Sequence, residues 1–385
     1  MNDLFKEIKM TNELHPKFLV LRDVYSEYHR EILNEWFDGF VDRDGKFIKE
    51  FQTTFHSSFF ELFLFKVFKR MGFKFDFTHS RPDFILKHSG LDEIIYVEAT
   101  TANVSQTGRL ETSRGMEDIL GMFTCPQLRP DFEVEVNESI IRYASAIKTK
   151  AEKYQKDYLN CEWIQGENPY VIALSSYGQV NYGREYIFGI LSLLYGKYYS
   201  KETNDFTARK SVIKPETGAE ILLNIFDMEE YEGVSAILFT SNCTLGKLTA
   251  LVRSSNSDYN TNHVYNLYQE FFEKDIKFKY QDVSTEAPEL VTDGLWVFHN
   301  PNAKNKLDVL DFWDEGITQI MIENEKVVMY GNPNPTIARM DLPSLYPKST
   351  VEMMIWGELS DYNKYTKIYF ADYYRQLTFT EAQSK

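Results

Sequence analysis

The sequence is short of cysteine, of long apolar runs and of positive charge, and each shortage removes a class of protein. Its three cysteines, Cys125, Cys161 and Cys243, are odd in number, far apart and form no C-x-x-C pair. They are expected as free thiols in a reducing compartment rather than as a disulfide framework. The longest near-apolar stretch, Tyr186 to Gly196, falls far short of the roughly 20 residues that span a bilayer. The opening MNDLFKEIKM is charged throughout and has no apolar h-region, so no secretory signal is expected and the chain reads as cytoplasmic. Lys and Arg number 42 against 57 Asp and Glu, a net charge of −15. That total argues against an overall basic nucleic-acid binder but leaves a local basic patch open. Catalytic signatures are also missing. Gly246-Lys247-Leu248 lacks the upstream Gly and the following Ser/Thr of a P-loop, and there is no G-x-S-x-G. His56, His79 and His88 have no zinc-ligand spacing.

Aromatic residues, by contrast, are plentiful at 15% of 385 residues. A chain of this length and composition buries a sizeable core, as two domains or as one large core with additions. Residues 1–50 show apolar positions at helical intervals (Phe18, Leu21, Val24, Tyr25, then Ile32, Leu33, Trp36, Phe37) and read as a helical lead. SSFFELFLFKVFKRM, Ser57 to Met71, predicts a strong helix with a Ser pair able to cap its start and Gly72 beyond its end. Strands are expected over Phe73–Phe77, over Asp83–Lys87 and, after a turn at His88-Ser89-Gly90-Leu91-Asp92, over Ile94–Thr100. Residues 101–137 lack a period and read as an insertion. Ile140, Ala144, Ile147, Ala151, Tyr154 and Tyr158 form the buried seam of a long helix over Glu138–Tyr158. A strand at Tyr170–Leu174 follows. Further on, 186–199 and 218–227 read as helices, Val234–Thr240 and Leu295–Phe298 as strands, and Ile317–Tyr330 as a hairpin. A boundary is placed after residue 175.

Among many acids, three stand out by position. Asp83 opens one strand after Pro82, and Glu98 closes the next. In that strand Ile95, Val97 and Ala99 share one apolar face and Tyr96, Glu98 and Thr100 the other. Glu98 is therefore expected on the face that does not enter the core. If the strands pair through the turn at 88–92, Asp83 and Glu98 lie together. Two adjacent carboxylates repel unless a cation sits between them, a situation that suits a hard divalent ion. Glu61 interrupts the run Phe59 to Phe65, an expensive place for a charge unless it is paired or bound to metal.

The block SFFELFLFKVFKRMGF, followed by RPDFIL and YVEAT, resembles the PD-(D/E)XK, or restriction-endonuclease-like, nuclease superfamily over about residues 57–175. The resemblance implies an α/β fold with a restriction-endonuclease-like core at 51–175, a mixed central sheet flanked by helices in the order α-β-β-β-α-β. A helical N-terminal lead (1–50) precedes it, and an α+β C-terminal portion of unassigned role (176–385) follows. It puts Glu61 on the acidic position of the first core helix, Asp83 on the PD aspartate and Glu98 on the (D/E)XK acid. Thr100 then stands where the superfamily most often has Lys, and Thr carries no charge. Lys150, about 60° round the helix from Ile147, is the best replacement, with Lys148 and Arg142 as alternates.

The implied activity is Mg²⁺- or Mn²⁺-dependent hydrolysis of nucleic-acid phosphodiesters, DNA in preference to RNA, in restriction, repair or defence. Asp83, Glu98 and the Ala99 carbonyl would hold the metal, Glu61 a water or second ion, and Lys150 would support the transition state. Residues 61–81 and 140–159 each carry a net +3 in this acidic chain, two basic islands of the kind a polyanion requires. Arg81, Arg142, Lys148 and Lys153 are the expected nucleic-acid contacts. The alternative is an inactive nuclease-like module that binds nucleic acid or a partner protein. A homodimer is left open, and no membrane partner is expected.

Overall fold

A computed structural model of the chain describes residues 4–6, 8, 14–88, 94–104, 108–121, 124, 128–178, 180, 183–203, 205–270, 277–324, 326–365 and 373–375. Cys125 and most of the turn expected at 88–92 lie outside them. The lead contains α1 (Pro16–Arg22), α2 (Glu27–Phe37) and α3 (Phe47–Thr53). Next come α4 (His56–Arg70), β1 (Lys74–Phe75), β2 (Phe84–Lys87), β3 (Ile94–Ala102), the short α5 (Met116–Leu120), α6 (Phe132–Lys156) and β4 (Tyr170–Ser176). The rest comprises α7 (Phe188–Tyr195), β5 (Lys197–Ser200), β6 (Asp205–Ala208), β7 (Ser211–Ile213), β8 (Glu220–Leu222), β9 (Ala236–Thr240), α8 (Leu245–Ser255), β10 (Asn262–Glu270), β11 (Lys277–Asp282), β12 (Leu295–His299), β13 (Ile317–Glu323), β14 (Lys326–Gly331), β15 (Thr336–Pro343), α9 (Lys348–Tyr365) and β16 (Tyr373–Arg375).

The molecule is a mixed α/β protein built on one large sheet in the order β1-β2-β3-β4-β9-β12-β13-β14-β16. β2 and β3 pair antiparallel, whereas β3, β4 and β9 run parallel. The sheet therefore passes residue 175 without interruption, through β4 into β9. β11, β10 and β15 form a separate antiparallel sheet.

Apolar alternation explains the layering. On β4, Tyr170, Ile172 and Leu174 face a core shared with α6 and α7, while Val171 and Ala173 face a core shared with α4 and the N-terminal helices. Both faces being covered, β4 is buried along its whole length, as parallel strands usually are. α4 ends on schedule, because Gly72 takes the left-handed conformation (φ 82°) that stops a helix.

Five local expectations change: α4 starts at His56 behind Phe55 with no side-chain cap, so Ser57 and Ser58 lie inside the helix rather than capping it, and the strand expected over Phe73–Phe77 shortens to Lys74–Phe75. α6 begins at Phe132 rather than at Glu138, because Phe132 and Val136 extend the seam by two turns; Tyr143 is buried there while Ala144 is half-buried. The helix expected over 186–199 stops at Tyr195, where Gly196 is left-handed (φ 67°), and the chain continues as β5. Residues 218–227 form no α-helix: Gly218 (φ 69°) and Asn224 (φ 59°) break the backbone on either side of β8, leaving a 3₁₀ turn at Ile225–Asp227.

Candidate functional site

Glu98 is not on an open face. Tyr96 and Glu98 lie beneath α6, and Glu98 is 2% exposed. α6 covers this face as α4 covers that of Ile95 and Val97, so the sheet has two cores and the charge sits at the edge of one. Burying a lone carboxylate is costly, and three donors compensate. Lys150 Nζ and Lys153 Nζ both donate to Glu98 Oε1, at 2.8 and 2.9 Å, and Tyr158 Oη donates to Oε2 at 2.7 Å. Burial pushes the Glu98 carboxyl up, but Lys150, Lys153 and Tyr158 together bring it below the ordinary range. Tyr158 is held well above a free phenol, by burial and then by Glu98.

Asp83 precedes β2. The antiparallel register pairs Phe84 with Val97, which sets residue 83 against Glu98. Its Oδ2 accepts the Ala99 N–H at 2.7 Å. Burial and Glu98 raise its carboxyl to about 6, against the opposing pull of Lys150, the Ala99 N–H and Arg43. Glu61 interrupts the buried face of α4, between Phe60 and Leu62. Burial raises it to about 8, with further increments from Asp83, Glu50 and Glu98 and an opposing one from Arg43. Three carboxyls from α4, β2 and β3 thus share one electrostatic environment, and two of them resist ionisation.

The loop that presents Asp83 is clamped from two sides. Arg43 donates to the carbonyls of His79, Pro82 and Asp83 at 2.6, 3.2 and 3.0 Å. Trp163 donates to the Arg81 carbonyl at 3.0 Å and stacks on His79 with centroids 4.4 Å apart. Arg43 belongs to Asp42-Arg43-Asp44-Gly45, a turn-like stretch that in the sequence only closes the helical lead, and Tyr158 reads only as a seam residue. Their bonds to residues about 40 and 60 positions away leave no local signal.

The remaining expected residues divide. Thr100 is half-buried on the Glu98 face. Arg81 is exposed beside the loop. Lys153 joins Lys150 on Glu98 rather than standing apart as a nucleic-acid contact. Lys148 is exposed and lies 3.9 Å from Glu152, one turn along its own helix. Arg142 is a correction: it is buried on α6, donating to Ser176 Oγ at 2.8 Å and lying 3.4 Å from Glu185, which also accepts from Tyr143. Tyr143 and Arg142 fall on the seam side of α6, which removes Arg142 from any surface that could meet a phosphate backbone.

Chemically, the oxygens of Glu61, Asp83 and Glu98 and the Ala99 carbonyl are hard donors, although among the described residues these three acids do not bring one oxygen each within 4.8 Å of one another. Asp83 and Glu61 carry the repulsion that a divalent cation relieves. A groove of about 520 Å³ lined by residues including Tyr154, Gln155, Glu230 and Lys304 contains none of these acids. Among the described residues no helix is long and apolar enough to cross a membrane. Comparison with protein-family models, with curated proteins and with solved structures returned no match.

Proposed function

We propose that the chain is a metal-dependent phosphodiesterase of the restriction-endonuclease-like type, acting on nucleic acid, DNA in preference to RNA, in restriction, repair or defence. The observation that carries this reading is Lys150, which reaches from α6 to Glu98 beside Asp83. It supplies from a helix the cation that Thr100 cannot supply from the strand. The element order through β4 and the three acids support the same reading.

Asp83 and Glu98, with the Ala99 carbonyl and Glu61, would hold Mg²⁺ or Mn²⁺. When bound, such an ion supplies Lewis-acid stabilisation of the phosphate and makes a water a competent nucleophile at neutral pH. Glu61, held to about 8, is mostly protonated at neutral pH in the metal-free protein and can orient a water through either carboxyl oxygen. Glu98 Oε1 is bonded by two lysines. Lys153 can keep Glu98 neutralised while Lys150 turns to a phosphate oxygen, where its charge offsets the charge that develops in the transition state.

The second reading, an inactive module that binds nucleic acid or a protein, rests on the same cage. Glu98 has both oxygens satisfied by protein donors, as an acid retired from metal binding would. Calorimetric titration with Mg²⁺ and Mn²⁺, paired with cleavage of plasmid and linear DNA, separates the two. The enzyme reading expects metal binding that Asp83→Ala removes, and cleavage lost in both Asp83→Ala and Glu98→Ala. Full activity in either variant, or no metal binding by the wild type, overturns it.

A further inference from the structure

Three segments distant in sequence meet at the start of α4, about one and a half turns before Glu61. His15 caps α1, His56 is the first residue of α4, and Glu111 begins a 3₁₀ turn. The two imidazoles meet edge to face with centroids 4.9 Å apart, and His56 Nε2 lies 2.6 Å from Glu111 Oε1. One donor atom from each of the three lies within 4.8 Å of the other two. The His56 ring is held by stacking on Tyr177 at 4.8 Å, and the Tyr177 hydroxyl is anchored on the Cys243 carbonyl at 2.5 Å. His56 Nδ1 and Glu111 Oε2 are buried without a hydrogen-bond partner among the described residues. Buried polar atoms normally have partners, so the cluster has coordinating capacity that the protein itself leaves unused.

We propose that His15, His56 and Glu111 form a transition-metal site that takes Zn²⁺ ahead of Mg²⁺ or Ca²⁺. Two imidazoles and one carboxylate are the donor set of zinc, whereas the hard cations demand oxygen. Bonds of roughly 2.0–2.2 Å in a tetrahedron put ligand atoms about 3.3 Å apart. The ligand atoms all lie within 4.8 Å of one another and His56 Nε2 sits 2.6 Å from Glu111 Oε1, so that spacing is within reach of side-chain rotation. His15 Nδ1 accepts from the Lys17 N–H at 3.2 Å, at the long end of the range for such bonds, and that bond is exchanged only if Nδ1 rather than Nε2 is the ligating nitrogen. Lys17 Nζ, 3.6 Å from Glu111 Oε2, opposes a bound cation and has to swing outward. The gap beside the cluster is small and lined largely by Phe55, Phe59, Tyr177 and Leu245. It suits a water as fourth ligand and excludes a substrate, so the ion would act as a clasp between α1, α4 and the Glu111 turn. This site shares no ligand with the acids around Asp83.

The full chain, stripped with chelator and titrated with Zn²⁺ against a chromophoric competitor, should bind one equivalent at this site, with a matching rise in thermal midpoint. His56→Ala and Glu111→Gln should each weaken that binding by more than about tenfold, with circular dichroism confirming their fold. Asp83→Asn should leave it unchanged, and Lys17→Ala should tighten it by removing the competing charge. Absence of stoichiometric Zn²⁺ in the wild type overturns the proposal, as does equal binding in the folded Glu111→Gln protein. Loss of Zn²⁺ in Asp83→Asn would move the ion to the other site and equally overturn it.

Discussion

Lys150 on α6 donates to Glu98 on β3 at 2.8 Å, joining residues 52 positions apart across the face of the sheet. Lys153, one turn further on, donates to the same oxygen. Under the proposed phosphodiesterase reading, the pair would divide two tasks that one lysine would have to combine: neutralising a buried acid and meeting a substrate phosphate.

If Lys150 is the mobile member, Lys150→Ala should lower the rate constant for DNA cleavage by about 10²–10³ with little change in metal affinity. Lys153→Ala should weaken metal-independent stability more than rate. Thr100→Lys should partly restore cleavage to Lys150→Ala, because both ammonium groups approach from the Glu98 face. Single-turnover kinetics alongside metal titration resolves these effects, and an unchanged rate in Lys150→Ala would remove the residue from the mechanism.

Glu98 and Asp83 should respond oppositely to loss of charge. Glu98→Gln leaves Lys150 and Lys153 facing each other over a neutral amide and should cost about 2 kcal/mol, below the figure for fully buried pairs because both lysines are partly exposed. Asp83→Asn relieves repulsion with Glu98 and should be neutral or stabilising in metal-free protein. Urea midpoints compare them directly; equal losses would mean that the two acids are not electrostatically opposed.

Acidity should register in stability. Glu61 is held at about 8 and Asp83 at about 6, above their ordinary 4.5 and 3.8. Over those windows the folded protein keeps protons that the unfolded chain has released. Metal-free stability therefore falls as pH rises, from about 3.8 to 6 on account of Asp83 and from about 4.5 to 8 on account of Glu61, and these groups add no slope above 8. Glu61→Gln should flatten the decline of thermal midpoint between about pH 5 and about 8. Parallel curves for the two proteins would place the Glu61 carboxyl in its ordinary range.

A second buried ion network should matter for folding alone. Glu289, fully buried, accepts from Lys247 at 2.5 Å, from Asn266 at 2.7 Å and from Arg339, linking α8 to the β10–β15 pair. Lys247→Ala leaves an undercompensated buried carboxylate and should cost about 3–5 kcal/mol, with DNA cleavage per folded molecule unchanged. Chemical denaturation beside specific activity measures both, and a loss under about 1 kcal/mol would show that Arg339 and Asn266 suffice for Glu289.

The local patterns in the sequence reached far, because their causes are local. Apolar spacing placed α4 within a residue at each end, Gly72 its stop, and alternation the strands β2 and β3. The same alternation separated Ile95 and Val97 from Tyr96 and Glu98, and Asp83 opposite Glu98 followed from a hairpin register. Where left-handed residues intervened, at Gly196, Gly218 and Asn224, helical-looking composition yielded to turns and strands.

Tertiary structure decided what covers each face and which charges meet. Glu98 looked outward because periodicity along one strand cannot show that α6 packs over it. Lys153 and Arg142 both looked like surface cations, yet one turns to Glu98 and the other into Ser176 and Glu185. His15, His56 and Glu111 share no motif, since their proximity arises from the docking of α1 and the Glu111 turn on the start of α4. A sequence states which residues alternate and where a helix must stop. Burial, and with it the cost and the pairing of every charge, exists only once segments tens of residues apart have packed together.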